Sequence, residues 1–123
     1  MPIQLEIFHP DRLVVAVARG AVTIEDYGGL LAGIVQAGVT HYRKIIDSTE
    51  AESDDVTLEL LLQADELTRK LDGPPRGPLA LVVNRAKGGI ARAFGEQSTD
   101  RPVGVFGSLH EARAWLRTLP IVE

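Results

Sequence analysis

The stretch Pro102-Val-Gly-Val-Phe-Gly-Ser108-Leu-His-Glu111-Ala-Arg-Ala-Trp115-Leu116 decides the architecture of this chain. It reads as a short strand, opened by a proline, that runs directly into an amphipathic helix. Ser108 lies three residues before Glu111, the capping-box spacing in which each side chain satisfies an orphan backbone N–H of the first turn. Leu109, Ala112, Trp115, Leu116 and Leu119 then share one apolar stripe, as a helix laid on a sheet requires. A strand feeding a capped helix is the repeating unit of an α/β domain, and the chain upstream repeats it.

Moving back from that stretch, Leu79-Ala-Leu-Val-Val83 is a continuous apolar run of strand length, the signature of a central parallel strand. A shorter, glycine-containing helix from about Lys87 to Phe94 follows it. Before it, Asp72-Gly-Pro-Pro-Arg-Gly-Pro78 is a break that no helix survives. Leu58, Leu60, Leu61, Leu62, Ala64, Leu67 and Leu71 mark a long helix whose wide apolar face implies burial on more than one side. Tyr42 to Asp47 forms a strand centred on Ile45 and Ile46. Thr23 caps an earlier helix with Asp26 in the reciprocal position; Ile24, Tyr27, Leu31 and Ile34 share its face, and Gly38 ends it. Gly28, Gly29 and Gly33 weaken that helix, and close packing on a sheet is the reading that accounts for them. At the N-terminus Ile3, Leu5 and Ile7 alternate with Gln4, Glu6 and Phe8, the pattern of a half-exposed strand. After the turn residues Pro10 and Asp11, Leu13-Val-Val-Ala-Val-Ala18 reads as a more buried second strand forming a hairpin with the first. The order ββαβαβαβα implies a mixed, mostly parallel five-stranded sheet, its first strand antiparallel, with four helices.

At 123 residues the chain is read as a single domain, 1–123. Without cysteine there is no disulfide, thiolate nucleophile or sulfur-ligated metal. The first residues lack the basic and apolar regions of a secretory signal, and no apolar run reaches the roughly 18–20 residues of a membrane span. A cytoplasmic location is the expectation. The net charge of −4 argues against nucleic-acid binding, which needs a basic face to displace counterions. The acids are unevenly placed: Asp47, Glu50, Glu52, Asp54, Asp55, Glu59, Asp65 and Glu66 occur in a segment without one Lys or Arg.

No pattern specifies catalysis, and no catalytic, cofactor-binding or metal-ligating residue is expected. His9, His41 and His110 stand apart from one another and lack metal-ligand spacing, so solvated surface histidines are expected. Gly107-Ser108 lacks the second glycine of a nucleophile elbow. Asn84-Arg85-Ala-Lys87-Gly88-Gly89 lies between a strand and a helix N-terminus, where Arg85 and Lys87 are candidate anion-binding residues; a solvated loop is the competing reading. The acidic segment lacks calcium-loop spacing. Ser53, Asp54 and Asp55 suit instead the start of the long helix, as an oxygen cap with charges that offset its dipole.

The segments Leu13-Val-Val-Ala-Val-Ala-Arg-Gly20 with Thr23-Ile-Glu-Asp-Tyr27, Lys44-Ile-Ile-Asp-Ser-Thr49, and the closing Val105 to Leu116 together resemble the STAS fold of anti-sigma-factor antagonists. They are similar also to the SpoIIAA-like group, which resembles lipid-binding Sec14 domains. In the antagonists an Asp-Ser-Ser-Gly segment offers a phosphorylatable serine at the start of the helix after the third strand. Ser53 occupies that position here, but Asp54 and Asp55 replace the serine and glycine that come after it, and their charge opposes a phosphate. The resemblance implies a non-enzymatic regulatory or protein-interaction module. Its candidate docking surface is the Asp47–Asp55 loop with the long helix, its candidate regulatory residues are Ser53, Asp54 and Asp55, and its expected partner is a basic protein. The alternative is a carrier of a small apolar or lipidic ligand, suggested by the leucine-rich second helix and the small residues of the first. A homodimer is a further expectation, since a sheet edge needs protection.

Overall fold

The structure, a computed structural model, describes residues 2–52, 57–72, 76–98 and 100–120. Strands β1 (Ile3–Phe8), β2 (Leu13–Ala21), β3 (Arg43–Glu52), β4 (Leu79–Val82) and β5 (Val103–Phe106) alternate with helices α1 (Ile24–Gln36), α2 (Leu58–Asp72), α3 (Gly88–Gln97) and α4 (Leu109–Arg117). A single 3-10 turn, Arg85–Lys87, precedes α3. The sheet runs β1-β2-β3-β4-β5, with β1 antiparallel to β2 and every other pair parallel. Element order and strand directions are those the hydrophobic patterning implies.

Because the strands are laid down side by side in one direction, crossovers of one hand put their helices on one face. That face carries α1, α2 and α3, and α4 covers the other. On the α4 side Leu13, Ile45, Ala80 and Val82 meet Ala112 and Leu116, and the Phe106 and Trp115 rings pack 5.4 Å apart. On the α1 side Val14 and Ala16 lie under Leu30 and Ile34, with Val39 and Tyr42 completing the cluster. Thr23 and Asp26 form the reciprocal capping box of α1. At α4 half of the expected box is formed: Ser108 Oγ accepts the Glu111 N–H at 3.2 Å.

Three features differ from the patterning. Strand β3 continues to Glu52 instead of ending at Asp47, because β2 extends to Ala21 and pairs with it beyond an irregularity at Val17/Arg19. Asp47, Glu50 and Glu52 therefore belong to a strand, and the Asp47 carboxylate accepts the Thr49 N–H and hydroxyl. Helix α2 is capped by Thr57, whose Oγ1 accepts the Leu60 N–H at 3.2 Å; Ser53, Asp54 and Asp55 lie outside the described residues. Close packing does not account for these glycines: at Gly33 an added Cβ would sit at an ordinary 3.5 Å from Leu5, and Gly28 and Gly29 are exposed with nothing within 4 Å. Gly28→Ala and Gly29→Ala should each raise stability by about 0.5–1 kcal/mol, the helix-propensity difference, as read by urea denaturation.

Three helices share one face, and the sheet is barely wide enough for them. Five strands span about 19 Å, and three helices about 10 Å apart need as much between their outer axes. Helix α2 packs chiefly against α1 and α3, bridging them over the middle of the sheet. Its wide apolar face is not buried on two sides: Leu61 and Ala64 turn toward the sheet, while Leu67 on the outer side is 60% exposed.

Candidate functional site

Under α2 the layers do not close. A cavity of about 120 Å³ is bounded by Leu79, Leu81 and Val83 from the β4 segment, Ile46 from β3, and side chains of α1, α2 and α3. Alternate residues of a strand point to one face, so Leu79, Leu81 and Val83 form a floor running about 13 Å along β4. Leu30, Leu31, Leu61, Ala64, Ala91 and Phe94 wall it with hydrocarbon. The two faces of the sheet differ at its centre. Ile45, Ala80 and Val82 are 0–1% exposed beneath α4, whereas Ile46 and Leu81, one residue along, are only half-buried beneath α2.

The cavity has a polar group at each end of its floor. At the start of β4, Asp65 of α2 and Arg101, just before β5, both line it. They belong to a buried ion network. Arg76 Nη1 and Nη2 donate to the two Asp65 oxygens at 2.7 and 3.2 Å, and Arg76 Nε and Nη2 donate to Asp100 at 2.7 and 2.6 Å. Arg101 Nη2 also donates to Asp65, at 2.7 Å. Burial opposes the Arg76 charge, but the hydrogen bonds with Asp100 and Asp65 outweigh it and hold its pKa above the ordinary value. The same contact with Arg76, against the opposing effect of burial, lowers Asp100 to about 2. Arg101 is pushed down to about 10 by burial and by the neighbouring Arg76 charge, and stays cationic at neutral pH. Two cations and two anions cancel, so the network lines this end of the cavity with no net charge.

At the other end, Tyr27 and Ser48 place their hydroxyls 3.4 Å apart, and Lys87, in the connection after β4, also lines the cavity. Ser48 follows Asp47, which pairs with Val82, so it lies at the C-terminal end of β4. That is the edge at which open α/β sheets commonly take ligands. Among the described residues Lys87 has no ion-pair partner.

The residues singled out from sequence thus separate. Lys87 lines the cavity, while Arg85 is exposed on the 3-10 turn and does not. Ser53, Asp54 and Asp55 fall outside the described residues. The expected acidic surface loses Asp65, which is 8% exposed and paired with two arginines. Nor are all three histidines simply solvated: the His9 ring nitrogen bonds the Tyr42 hydroxyl at 2.8 Å, and His41 packs edge-on against the same ring. Asp65 had a readable signal, since Leu61, Ala64, Asp65 and Thr68 follow the i, i+3, i+4, i+7 spacing of one helix face. No group of three or more metal-ligating side chains converges among the described residues, and no helix there is long and apolar enough to cross a membrane.

Sheet order, strand directions and helix placement define a SpoIIAA-like α/β domain, and solved structures agree. One is an uncharacterised protein of the DUF3478 family with a SpoIIAA-like fold from Shewanella loihica PV-4, 19% identical over 93% of this chain and 91% of that one, with a TM-score of 0.63. Another is the anti-sigma factor antagonist SpoIIAA in its unphosphorylated form, 16% identical over 95% of this chain and 99% of that one, with a TM-score of 0.60. No family model matches the sequence, and no curated protein does. At these identities the likeness is one of fold: the chain has a SpoIIAA-like fold.

Proposed function

We propose that this domain is a non-enzymatic STAS-like regulatory module that works by binding, and that the cavity beneath α2 holds a small apolar ligand. The observation that carries this reading is the half-buried centre of the sheet at Ile46 and Leu81, where the opposite face is sealed. Interiors normally pack to crystal density, with few voids larger than a water molecule. An apolar hollow of this size is one that a hydrocarbon group enters readily; an engineered cavity of about 150 Å³ binds benzene. The lining offers polar groups at its two ends and none along its floor, which suits orientation of a bound molecule.

A protein partner is a second reading, favoured by the fold of the antagonist and by the outer side of α2. There Leu58, Leu62 and Leu67 alternate with Glu59, Glu66 and Lys70 around a shallow groove. The mixed charge of that surface does not single out a basic partner. The two readings are compatible, since α2 has the cavity on one side and solvent on the other.

Ala64→Leu tests the cavity directly by adding three carbons to its roof. With hexan-1-ol as probe, titration calorimetry should show binding to the native protein and at least a tenfold loss in the variant. The variant's melting temperature should stay within about 4 °C, the equivalent of about 1 kcal/mol or less. Undiminished binding by a folded Ala64→Leu variant would place the probe elsewhere and remove the reading.

A further inference from the structure

We infer that the ligand is a small amphipathic monoanion, a carboxylate of about six carbons, whose charged head lies at Lys87 and whose chain runs along the β4 floor. The inference rests on the cavity reading and adds charge, orientation and size to it.

Charge comes from the unequal ends. At the Arg101 end both guanidinium charges are matched by Asp65 and Asp100; Arg101 Nε has no hydrogen-bond partner, but an incoming anion would meet carboxylates already in place. At the other end Lys87 stands without an ion pair among the described residues, and Tyr27 and Ser48 also line the cavity, Ser48 at the C-terminal end of β4. A lysine beside a low-dielectric hollow attracts an anion more strongly than the same lysine in open water. One of the two paired hydroxyls keeps a free O–H to donate to a carboxylate oxygen.

Orientation comes from position. Lys87 sits in the connection after β4, at the strand's C-terminal end, and Leu79 begins the strand at the other. A head at Lys87 therefore sends the tail over Val83 and Leu81 toward Leu79, where the neutral Asp65–Arg101 pair forms the end wall.

Size separates this ligand from a membrane lipid. About 120 Å³ is slightly less than the cavity that takes one benzene ring, so roughly six carbon-sized atoms fit. The hollow is open to solvent on one side, so a longer acyl chain would leave the rest of its length outside it and gain no further burial there.

The experiment compares hexanoate, hexan-1-ol and hexadecanoate by titration calorimetry at low ionic strength, on the native protein and on Lys87→Gln and Lys87→Arg. Hexanoate should bind at least tenfold more tightly than hexan-1-ol, and hexadecanoate no more tightly than hexanoate. Lys87→Gln should erase the preference for hexanoate over the alcohol while leaving the alcohol's affinity within twofold; Lys87→Arg should keep that preference. Equal affinity for acid and alcohol overturns the anionic head and leaves the cavity reading intact. Retention of the preference in Lys87→Gln overturns the role of Lys87. Tighter binding of hexadecanoate overturns the size limit and points to a lipid. Failure of both six-carbon probes to bind overturns the cavity reading and this inference with it.

Discussion

Asp65→Ala should destabilise the fold by about 3–5 kcal/mol, the usual cost of removing one partner from a buried ion pair. The cause is what remains. Arg76 and Arg101 have side chains only 2% and 5% exposed, and both lean on the Asp65 carboxylate. Without it, two guanidinium groups are left in a desolvated site with Asp100 alone as counter-charge. Urea denaturation would register the loss as a lower midpoint at unchanged slope. Asp100→Ala should cost less, because that side chain is 25% exposed and water can take its place. Replacing Asp65, Arg76 and Arg101 together with Leu, Met and Met should recover much of the stability, since the one charge then left without its partner is Asp100, whose side chain is 25% exposed and reached by water. A loss below about 1 kcal/mol in Asp65→Ala, the range of surface pairs, would mean the network is hydrated and not a buried closure.

Gly77→Ala should be as damaging or worse, for a reason unrelated to charge. Gly77 is buried between Arg76 and Pro78, and its N–H donates to Thr40 O at 2.8 Å. A Cβ there would fall 2.1 Å from Tyr42 O and 2.5 Å from His41 O, both backbone atoms. No rotamer change relieves such a clash, so the segment entering β4 must shift. Overpacking of flexible side chains already costs about 1–3 kcal/mol, and backbone contact should exceed that range. Circular dichroism melting would show the variant largely unfolded or with a strongly lowered midpoint. A melting curve like that of the native protein would show that Gly77 approaches residues 41 and 42 less closely than this packing requires.

The fold was legible because each element carries its own period. Ile3, Leu5 and Ile7 alternate in sequence and in burial. The stripe of Leu109, Ala112, Trp115, Leu116 and Leu119 is the stripe that packs on the sheet. Local chemistry was also legible at Thr23 and Asp26. The length of β3 was not, because Asp47, Glu50 and Glu52 are poor strand formers held there by pairing with β2, a tertiary effect. The ion network draws on residues 65, 76, 100 and 101, from a helix and two irregular segments, and only Asp65 betrays itself by position. The cavity was signalled only indirectly, by the leucine surplus of the second helix and the small residues of the first, and its place was not legible. The leucines of α2 announce a wide apolar face, but the hollow beneath them arises from how three helices share one side of a five-stranded sheet. Lys87 was legible as an anion-binding candidate, and its place in one cavity with Tyr27 and Ser48 came only with the topology.

The claim that this domain works by holding a small apolar molecule beneath α2 is tested most directly by intermolecular NOEs. With methyl-labelled protein and hexan-1-ol, cross-peaks are expected from the probe to methyls of Leu30, Ile46, Leu61, Leu81 and Val83. The outer methyls of Leu58, Leu62 and Leu67 should show none. Cross-peaks confined to those outer leucines, or none to any methyl at saturating probe, would contradict the claim.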